Sequence, residues 1–362
     1  MGGEEGGGAF AFNFFAAQTG AVAAVAVAAR GGSASSEGAD ADALEAAAEA
    51  RAALVAEAEA ECILHGPHGG AAQRGGQADW ACFEGAEEVE APAQRRASED
   101  LAAAETLSEI QIPGTDIRLH KCAVTSDAAA ALLGETQLQE SDLVPGKYEG
   151  GFKLWEGAVD LAAYIAREHK LLAADVITGT PAESGLDRLR VLELGCGHGL
   201  PGVLCLLAGS EVHFQDYNRE VLTSLTAPNV AANLARLPRG AVRPRARYFA
   251  GDWLAVGSLL STKGLDASYD LVLTAETIYS PHGASRLLEC IKQVLRPPHG
   301  VALVAAKSHY FGVGGGTAGF AAAVAADGTL EVERVWVVED GASNKREILK
   351  LAFPASIVPY FM

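Results

Sequence analysis

Apolar runs of strand length alternate with segments of helical periodicity from about residue 190 towards the C-terminus. Strands are expected at residues 190–194, 211–216, 245–250, 269–274, 301–306, 331–338 and 347–353. Helices are expected between them at residues 199–207, 219–234, 284–295 and 317–325, with Pro228 interrupting the second of these. This part of the chain therefore has the pattern of strands and helices in alternation.

Such alternation predicts an α/β domain whose parallel sheet is covered by helices on both faces. The last two strands are separated by residues 339–344, a short polar turn, and are expected to form an antiparallel hairpin. A Rossmann-like, seven-strand sheet that ends in such a hairpin is the class I methyltransferase variant of the doubly wound fold. Ligands of doubly wound sheets bind beyond the carboxyl ends of the central strands.

The composition changes near residue 109. Residues 1–109 are rich in Ala, Gly, Glu and Gln, and we expect this low-complexity region to be mostly disordered. Its one aromatic cluster, at residues 10–15, is a candidate docking element, although an accidental cluster is the alternative. The methyltransferase-like domain is expected to span residues 110–362.

Charge and cysteine usage limit the class of protein. A formal net charge of −18 opposes binding to bare nucleic acid or an anionic membrane, and favours a cationic protein partner. The six cysteines form no C-x-x-C pair, so neither a metal site nor a disulfide framework is expected. The apolar stretch at residues 16–29 is too short to span a bilayer and follows two acids instead of basic residues, so we expect a soluble intracellular chain.

A glycine-rich turn follows the first predicted strand. Gly195, Gly197 and Gly199 form G-x-G-x-G and not a dinucleotide fingerprint, although a merely tight turn is the alternative. Glu193 precedes the glycines, and Asp216 closes the next strand. These two acids suit a ligand with a cationic end and a ribose diol, and S-adenosyl-L-methionine has both.

Polar and aromatic side chains also follow the later strands. Asp252 can accept from an adenine amino group and Trp253 can cover the ring, while Glu276 and Tyr279 follow the next strand. An acid in such a place can also cap a helix. A glycine-rich loop at residues 307–316 comes after the following strand and is expected to shape the mouth of a substrate site.

Four longer words resemble a known family. Residues 143–156, 213–218, 273–279 and 307–316 are similar to the seven-strand protein-histidine N-methyltransferases that modify a histidine of a large-subunit ribosomal protein. The resemblance covers roughly residue 110 to the C-terminus, and the aromatic start at residues 10–14 is also similar. It implies methyl transfer to a basic ribosomal protein and a cytoplasmic and nuclear location, with the nucleolus as a further candidate. The net negative charge adds the expectation of no direct nucleic-acid or membrane partner.

The resemblance also implies a set of cofactor-binding residues. Together with the residues chosen from their chemistry, the expected S-adenosyl-L-methionine pocket comprises Leu154, Trp155, Glu156, Gly157, Ala158, Glu193, Gly195, Gly197, Gln215, Asp216, Tyr217, Gly251, Asp252, Trp253 and Ala275. His198 stands where small residues are common in the family, and we expect it to be a turn residue near the cofactor.

The expected catalytic residues are Glu276, Tyr279 and His309. A neutral imidazole already offers one nitrogen lone pair, so the site needs an acceptor for the N–H of the other nitrogen; Glu276 is the first candidate. The acid-x-x-Tyr arrangement also occurs in lysine-directed enzymes. A lysine methyltransferase and a non-catalytic scaffold that binds basic ribosomal proteins therefore remain alternatives.

Overall fold

The central sheet of the computed structural model has eight strands, with a separate two-stranded sheet beside it. The structure describes residues 85–90, 107–123, 143, 146–178, 185–241, 243–339 and 344–360. In these residues the strands are β1 Glu87–Val89, β2 Leu107–Gln111, β3 Arg118–Cys122, β4 Arg190–Leu194, β5 Glu211–Asp216, β6 Ala246–Ala250, β7 Leu271–Ala275, β8 Val301–Lys307, β9 Glu331–Val338 and β10 Arg346–Ala352.

Helices occupy most connections between the strands. They are α1 Glu156–Glu168, α2 Ala173–Thr178, α3 Leu200–Leu207, α4 Arg219–Val221, α5 Ala227–Leu234, α6 Trp253–Thr262, α7 Pro281–Val294 and α8 Thr317–Asp327. A π-helical turn, Leu222–Thr226, joins α4 to α5, and a 3-10 turn covers Ala355–Tyr360. Pro228 lies in the first turn of α5, directly after the π-helical turn, so the regular α-helical pattern of residues 219–234 is interrupted just before Pro228, as the sequence predicts.

The strand order of the large sheet is β1-β6-β5-β4-β7-β8-β10-β9. Strands β6, β5, β4, β7 and β8 are parallel, and β10 pairs antiparallel with both β8 and β9. The expected parallel sheet with a terminal hairpin is therefore confirmed, and this is the class I methyltransferase fold. The eighth strand is β1, which pairs antiparallel with the edge of β6 and lies in the region expected to be mostly disordered.

The sheet extends from β4 through β5 and β6 on one side, and through β7 and β8 on the other side. The helices that follow β4 and β5 therefore lie on the opposite face of the sheet from the helix that follows β7. Leu194, the last residue of β4, pairs with Gln215 of β5 and Thr274 of β7. The carboxyl ends of the three strands thus lie side by side at the switch point, where doubly wound sheets open a crevice for ligands.

Two apolar layers hold the helices on the sheet. Leu161 of α1 and Val203 of α3 pack on one face, and Leu287 and Ile291 of α7 pack on the other. All four side chains are buried completely, and each contributes roughly 1.5–3 kcal/mol by leaving water. The rigid sheet between these layers fixes the positions of the strand ends.

Several expectations concern residues outside the described ranges. These include the aromatic cluster at residues 10–15, two of the six cysteines and most of the turn at residues 339–344. Within the described ranges, no helix has the length and apolar character needed to cross a bilayer. No group of three or more His, Cys, Asp or Glu in those ranges could hold a metal ion.

Candidate functional site

A cavity of about 890 Å³, open to solvent, lies at the carboxyl ends of β4, β5 and β7. The lining residues are Glu149, Gly150, Gly151, Lys153, Leu154, Trp155, Ala158, Glu193, Gly195, Cys196, Gly197, His198, Asp216, Tyr217, Gly251, Asp252, Trp253, Ala275, Glu276, Thr277, Tyr279, Gly283 and Arg286. Twelve of the fifteen expected cofactor residues are among them.

The glycine turn leaves no room for side chains. Gly197 has a φ of +49°, and a Cβ there would lie 3.0 Å from the backbone oxygen of Gly151. A Cβ on Gly195 would lie 2.6 Å from the side chain of Thr277. The backbone after β4 therefore lies in close contact with Gly151 on one side and with Thr277, just after β7, on the other. A ligand in the cavity contacts backbone atoms at these glycines.

Asp216 closes β5 and points into this turn. Its Oδ2 accepts a hydrogen bond from Gly197 N at 2.9 Å, and its Oδ1 accepts one from Asn218 N at 3.1 Å. Burial raises the pKa of Asp216 to about 6. Each carboxylate oxygen keeps an acceptor site for a further donor, which is what a ribose diol requires.

Glu193 lies at the edge of the cavity with its carboxyl group under α3. Its Oε2 accepts a hydrogen bond from Gly202 N at 2.8 Å, and burial raises the pKa of Glu193 to about 8. A group with that pKa is mostly protonated at neutral pH, so here it supports the start of α3. The predicted interaction of Glu193 with the cationic end of a ligand stays a prediction.

Gln215 lies behind the cavity wall and connects three parts of it. Its Oε1 accepts from Gly195 N at 3.0 Å and from Trp253 Nε1 at 3.1 Å, while its Nε2 donates to Gly251 O at 2.8 Å. The amide thus holds the glycine turn, the turn after β6 and the indole in one arrangement. It acts on the pocket by positioning these groups.

Asp252 has two partners within the protein. Its Oδ1 accepts from Leu254 N at 3.0 Å, which caps α6, and its Oδ2 accepts from Arg286 Nε at 3.1 Å. Capping, the alternative considered for such acids, is therefore part of its role. Arg286, a cationic residue of α7 that the sequence analysis missed, joins Asp252 on the cavity wall.

Residues 149–158 cover the glycine turn from the solvent side. Leu154, Trp155 and Ala158 line the cavity, and Trp155 Nε1 donates to Gly150 O at 3.0 Å. Glu156 and Gly157 do not line the cavity. The Glu156 carboxylate is 3.6 Å from Lys307 Nζ, and Gly157 N donates to the carboxylate of Glu276.

His198 connects this covering segment to the glycine turn. Its Nε2 is 3.1 Å from the backbone oxygen of Phe152, so this nitrogen carries the hydrogen. Burial lowers the pKa of His198 to about 4, which leaves Nδ1 as a lone-pair acceptor, and that buried atom has no partner within the described structure. The residue lies near the pocket as expected, and its Nδ1 suits an ammonium or hydroxyl donor from a ligand.

Glu276 forms the opposite wall and is held by the protein. Its Oε1 accepts from Gly157 N at 3.1 Å, and its Oε2 accepts from the hydroxyl group of Tyr310. The residue has a φ of +60°, a left-handed conformation that costs a side-chain-bearing residue about 1–2 kcal/mol. Burial raises the pKa of Glu276, while Tyr310 and Lys307 oppose that rise.

Tyr279 lines the cavity beside Glu276, and its hydroxyl donates to Oε2 of Glu149. The other oxygen of Glu149 accepts from Gly146 N at 2.7 Å. Burial raises the pKa of Glu149 and holds that of Tyr279 well above its usual value. Glu149 was missed because its partner lies 130 residues away along the chain, and only its presence in the family-like word at 143–156 pointed to it.

His309, which is expected to be catalytic, does not line the cavity. Its side chain is exposed, with its ring 4.9 Å from that of Phe311, which is also exposed. Tyr310 takes the inward position in this loop because its hydroxyl reaches Glu276 and accepts from Lys307 N at 3.2 Å. The loop does lie at the site, since its Gly315 N donates to Tyr279 O at 3.0 Å.

Comparison with known proteins gives matches in the same region. A family model described as lysine methyltransferase matches residues 145–313. A histidine protein methyltransferase 1 homolog of Dictyostelium discoideum is 40% identical over 217 residues, which cover 60% of this chain and 62% of that protein. The Rattus norvegicus homolog is 35% identical over 240 residues, covering 61% of this chain and 62% of that protein.

A solved structure of a SAM-dependent methyltransferase from Agrobacterium tumefaciens aligns with a TM-score of 0.40 at 13% identity, covering 69% of this chain and 71% of that one. The chain spans about three fifths of the length of the two curated relatives, 62% in each case. The family resemblance seen in the sequence words is confirmed by the two relatives. The predicted S-adenosyl-L-methionine cofactor fits a class I methyltransferase fold with this pocket.

Proposed function

We propose that this protein transfers a methyl group from S-adenosyl-L-methionine to an imidazole nitrogen of a histidine in a large-subunit ribosomal protein. One observation carries the proposal: a single cavity joins a wall formed by Asp216 and the glycine turn to a wall formed by Glu149, Glu276 and Tyr279. It stands in a chain that is 40% identical over 217 residues to a histidine protein methyltransferase homolog.

The residues present fit the proposed cofactor. Asp216 offers carboxylate oxygens to a ribose diol, and the indole of Trp253 lines the same cavity and offers an aromatic surface. The orphaned Nδ1 of His198 offers an acceptor to the ammonium group at the amino-acid end of such a ligand. When bound, the cofactor supplies an electrophilic methyl group, and the protein supplies orientation.

The substrate wall suits a weakly basic acceptor. Imidazole is largely neutral near pH 7, so a nitrogen lone pair is available without a strong base, and the site must chiefly hold the ring in line with the methyl group. An acceptor for the far ring N–H then selects which nitrogen attacks. Carboxylates and a phenol, the groups found on this wall, are acceptors of that kind.

The ribosomal substrate rests on the resemblance of four sequence words and on charge. A chain with 46 acidic and 28 basic residues attracts cationic proteins, and ribosomal proteins are strongly basic. Activity on such a protein in the cytoplasm and nucleus belongs to the same proposal, as does the absence of direct contact with nucleic acid or membranes.

A protein-lysine methyltransferase is the second candidate, favoured by the description of the family model that matches residues 145–313. A lysine ammonium must lose a proton before it attacks, so such an enzyme needs a site that disfavours the cation. The carboxylates Glu149 and Glu276 stabilise a cation instead, which favours histidine.

Labelling of ribosomal proteins tests the proposal. The full chain is incubated with S-adenosyl-L-methionine that carries a labelled methyl group and with extracted ribosomal proteins, and the labelled residue is identified by mass spectrometry. Label on histidine supports the proposal. Label on lysine selects the second candidate, and no label from a protein that binds S-adenosylhomocysteine selects a non-catalytic scaffold.

A further inference from the structure

Methylation of one imidazole nitrogen leaves the ring positively charged until the other nitrogen loses its proton. Resting on the proposed function, we propose that Tyr279 accepts this N–H and that Glu149 receives the proton, while Glu276 positions the site. The assignment follows from how the oxygen atoms of the two carboxylates are used.

Glu276 is committed to the architecture of the site. Its two oxygens accept from Gly157 N, in the first turn of α1, and from the Tyr310 hydroxyl, in the loop after β8. The Tyr310 hydroxyl is itself engaged by Lys307 N at 3.2 Å. Glu276 thus ties β7, α1 and this loop together, and releasing it to a substrate would break these ties.

Tyr279 and Glu149 have the opposite character. The Tyr279 hydroxyl gives its hydrogen to Glu149 Oε2, so its oxygen lone pairs remain available to a donor in the cavity, which both residues line. Both are half-buried, in contrast to the buried Glu276. Gly146 N holds the far oxygen of Glu149 at 2.7 Å and so fixes the carboxylate against the phenol.

The proposed step balances in atoms and charge. The lone pair of the attacking nitrogen forms the new N–C bond, and the S–CH₃ bond breaks with its electron pair passing to sulfur. The proton on the other ring nitrogen moves to the Tyr279 oxygen as the phenol proton moves to Glu149 Oε2. The products are neutral methylhistidine, S-adenosylhomocysteine and protonated Glu149, which returns its proton to water after product release.

The electrostatic surroundings of Glu149 support this role. Burial raises the pKa of Glu149, and the nearby carboxylate of Asp252 raises it further, which brings the pKa of Glu149 closer to that of an imidazolium. The Tyr279 hydroxyl and Gly146 N lower it again. The other charged or titratable groups that line the cavity are Lys153, Glu193, Cys196, His198, Asp216, Tyr217, Glu276 and Arg286.

Four single variants of the full chain test the proposal: Glu149→Gln, Tyr279→Phe, Glu276→Gln and, as a matched carboxylate control, Glu289→Gln on the exposed side of α7. Each is assayed for S-adenosylhomocysteine affinity by calorimetry and for kcat and kcat/KM on extracted ribosomal proteins from pH 5 to 9. Hydrolysates are analysed for the two methylhistidine isomers, which report the attacking nitrogen.

We expect Glu149→Gln to bind S-adenosylhomocysteine like the unaltered protein while its kcat falls about a hundredfold. The acid limb of kcat/KM for the protein substrate, measured at saturating S-adenosyl-L-methionine so that the titration of Asp216 does not contribute, should lose about one unit of slope, because only the substrate imidazole then has to be deprotonated. Tyr279→Phe, which removes only a hydroxyl, should give both methylhistidine isomers. Glu289→Gln should match the unaltered protein throughout.

The proposal is overturned if Glu149→Gln and Tyr279→Phe keep the slope, the kcat and the single isomer of the unaltered protein. It is also overturned if Glu276→Gln alone removes the acid limb. Failure of the proposed function would look different, since the unaltered protein would then place label on lysine or on no residue at all.

Discussion

At the scale of single residues, the cofactor wall depends on one buried carboxylate. Asp216 is only 4% exposed, yet two backbone N–H groups, from Gly197 and Asn218, satisfy one acceptor site on each of its oxygens. The remaining lone pairs of the carboxylate suit the hydroxyl donors of a ribose diol.

Ligand affinity should therefore depend on pH through Asp216. Because burial raises the pKa of Asp216 to about 6, the acceptor form is lost as the pH falls below that value, and S-adenosylhomocysteine affinity should fall roughly tenfold per pH unit there. Calorimetry from pH 5 to 8 measures this. Asp216→Asn should bind weakly at every pH, and the exposed Asp266→Asn should retain the full dependence; a flat profile in the unaltered protein contradicts the assignment.

At the scale of elements, the sequence predicts strands well because each strand is a short apolar run with clear ends. Strands β4, β5 and β9 have the predicted bounds, the predicted strands β6, β7, β8 and β10 differ by one or two residues at an end, and β1, β2 and β3 are not predicted. Helices α1 and α6 were missed although Leu161 and Ile165 have helical spacing in α1. The sequence pattern assigns their first residues to a ligand site, and helix capping by Asp252 is only one of two interpretations of that acid.

The side-chain orientations in the loop after β8 could not be predicted from the sequence. Its glycines indicate a sharp path, but they do not determine whether His309 or Tyr310 turns inward. That choice is made by Glu276, 34 residues earlier, whose carboxylate accepts from Tyr310. The pairing of Glu149 with Tyr279 is likewise a contact between distant elements, with no local pattern to reveal it.

This loop should be sensitive to one methyl group. A Cβ on Gly315 would lie 2.2 Å from the backbone of Ile278, so Gly315→Ala should push the loop away from β7 and cost about 1–3 kcal/mol. Thermal unfolding should show a loss of several degrees, and kcat should fall while S-adenosylhomocysteine affinity is kept. Gly314→Ala is the control: its φ of +80° adds strain, but its Cβ would touch nothing within 4 Å. Equal effects of the two changes would show that the close approach is unimportant.

At the scale of the whole molecule, the edge strand β1 supports the pocket from outside. It pairs with β6, and Glu88 binds Arg247 at 2.8 Å and Lys263 at 2.7 Å. Its start lies against the turn after β6, because a Cβ on Gly251 would be 2.8 Å from Ala86 Cα. Gly251 lines the cavity, so a segment outside the seven predicted strands contributes to the shape of the ligand site.

A change in β1 should therefore reach the pocket. Val89 is only 4% exposed within the core, so Val89→Asp buries an unpaired charge unless the strand detaches from β6. Detachment would free the β6 edge and loosen the Gly251 turn. We expect faster amide hydrogen exchange along β6 together with a several-fold loss of S-adenosylhomocysteine affinity. Glu90→Asp, which places the same side chain at the next, exposed position, should change neither quantity. Faster exchange with unchanged affinity would mean that β1 protects the sheet edge without shaping the pocket.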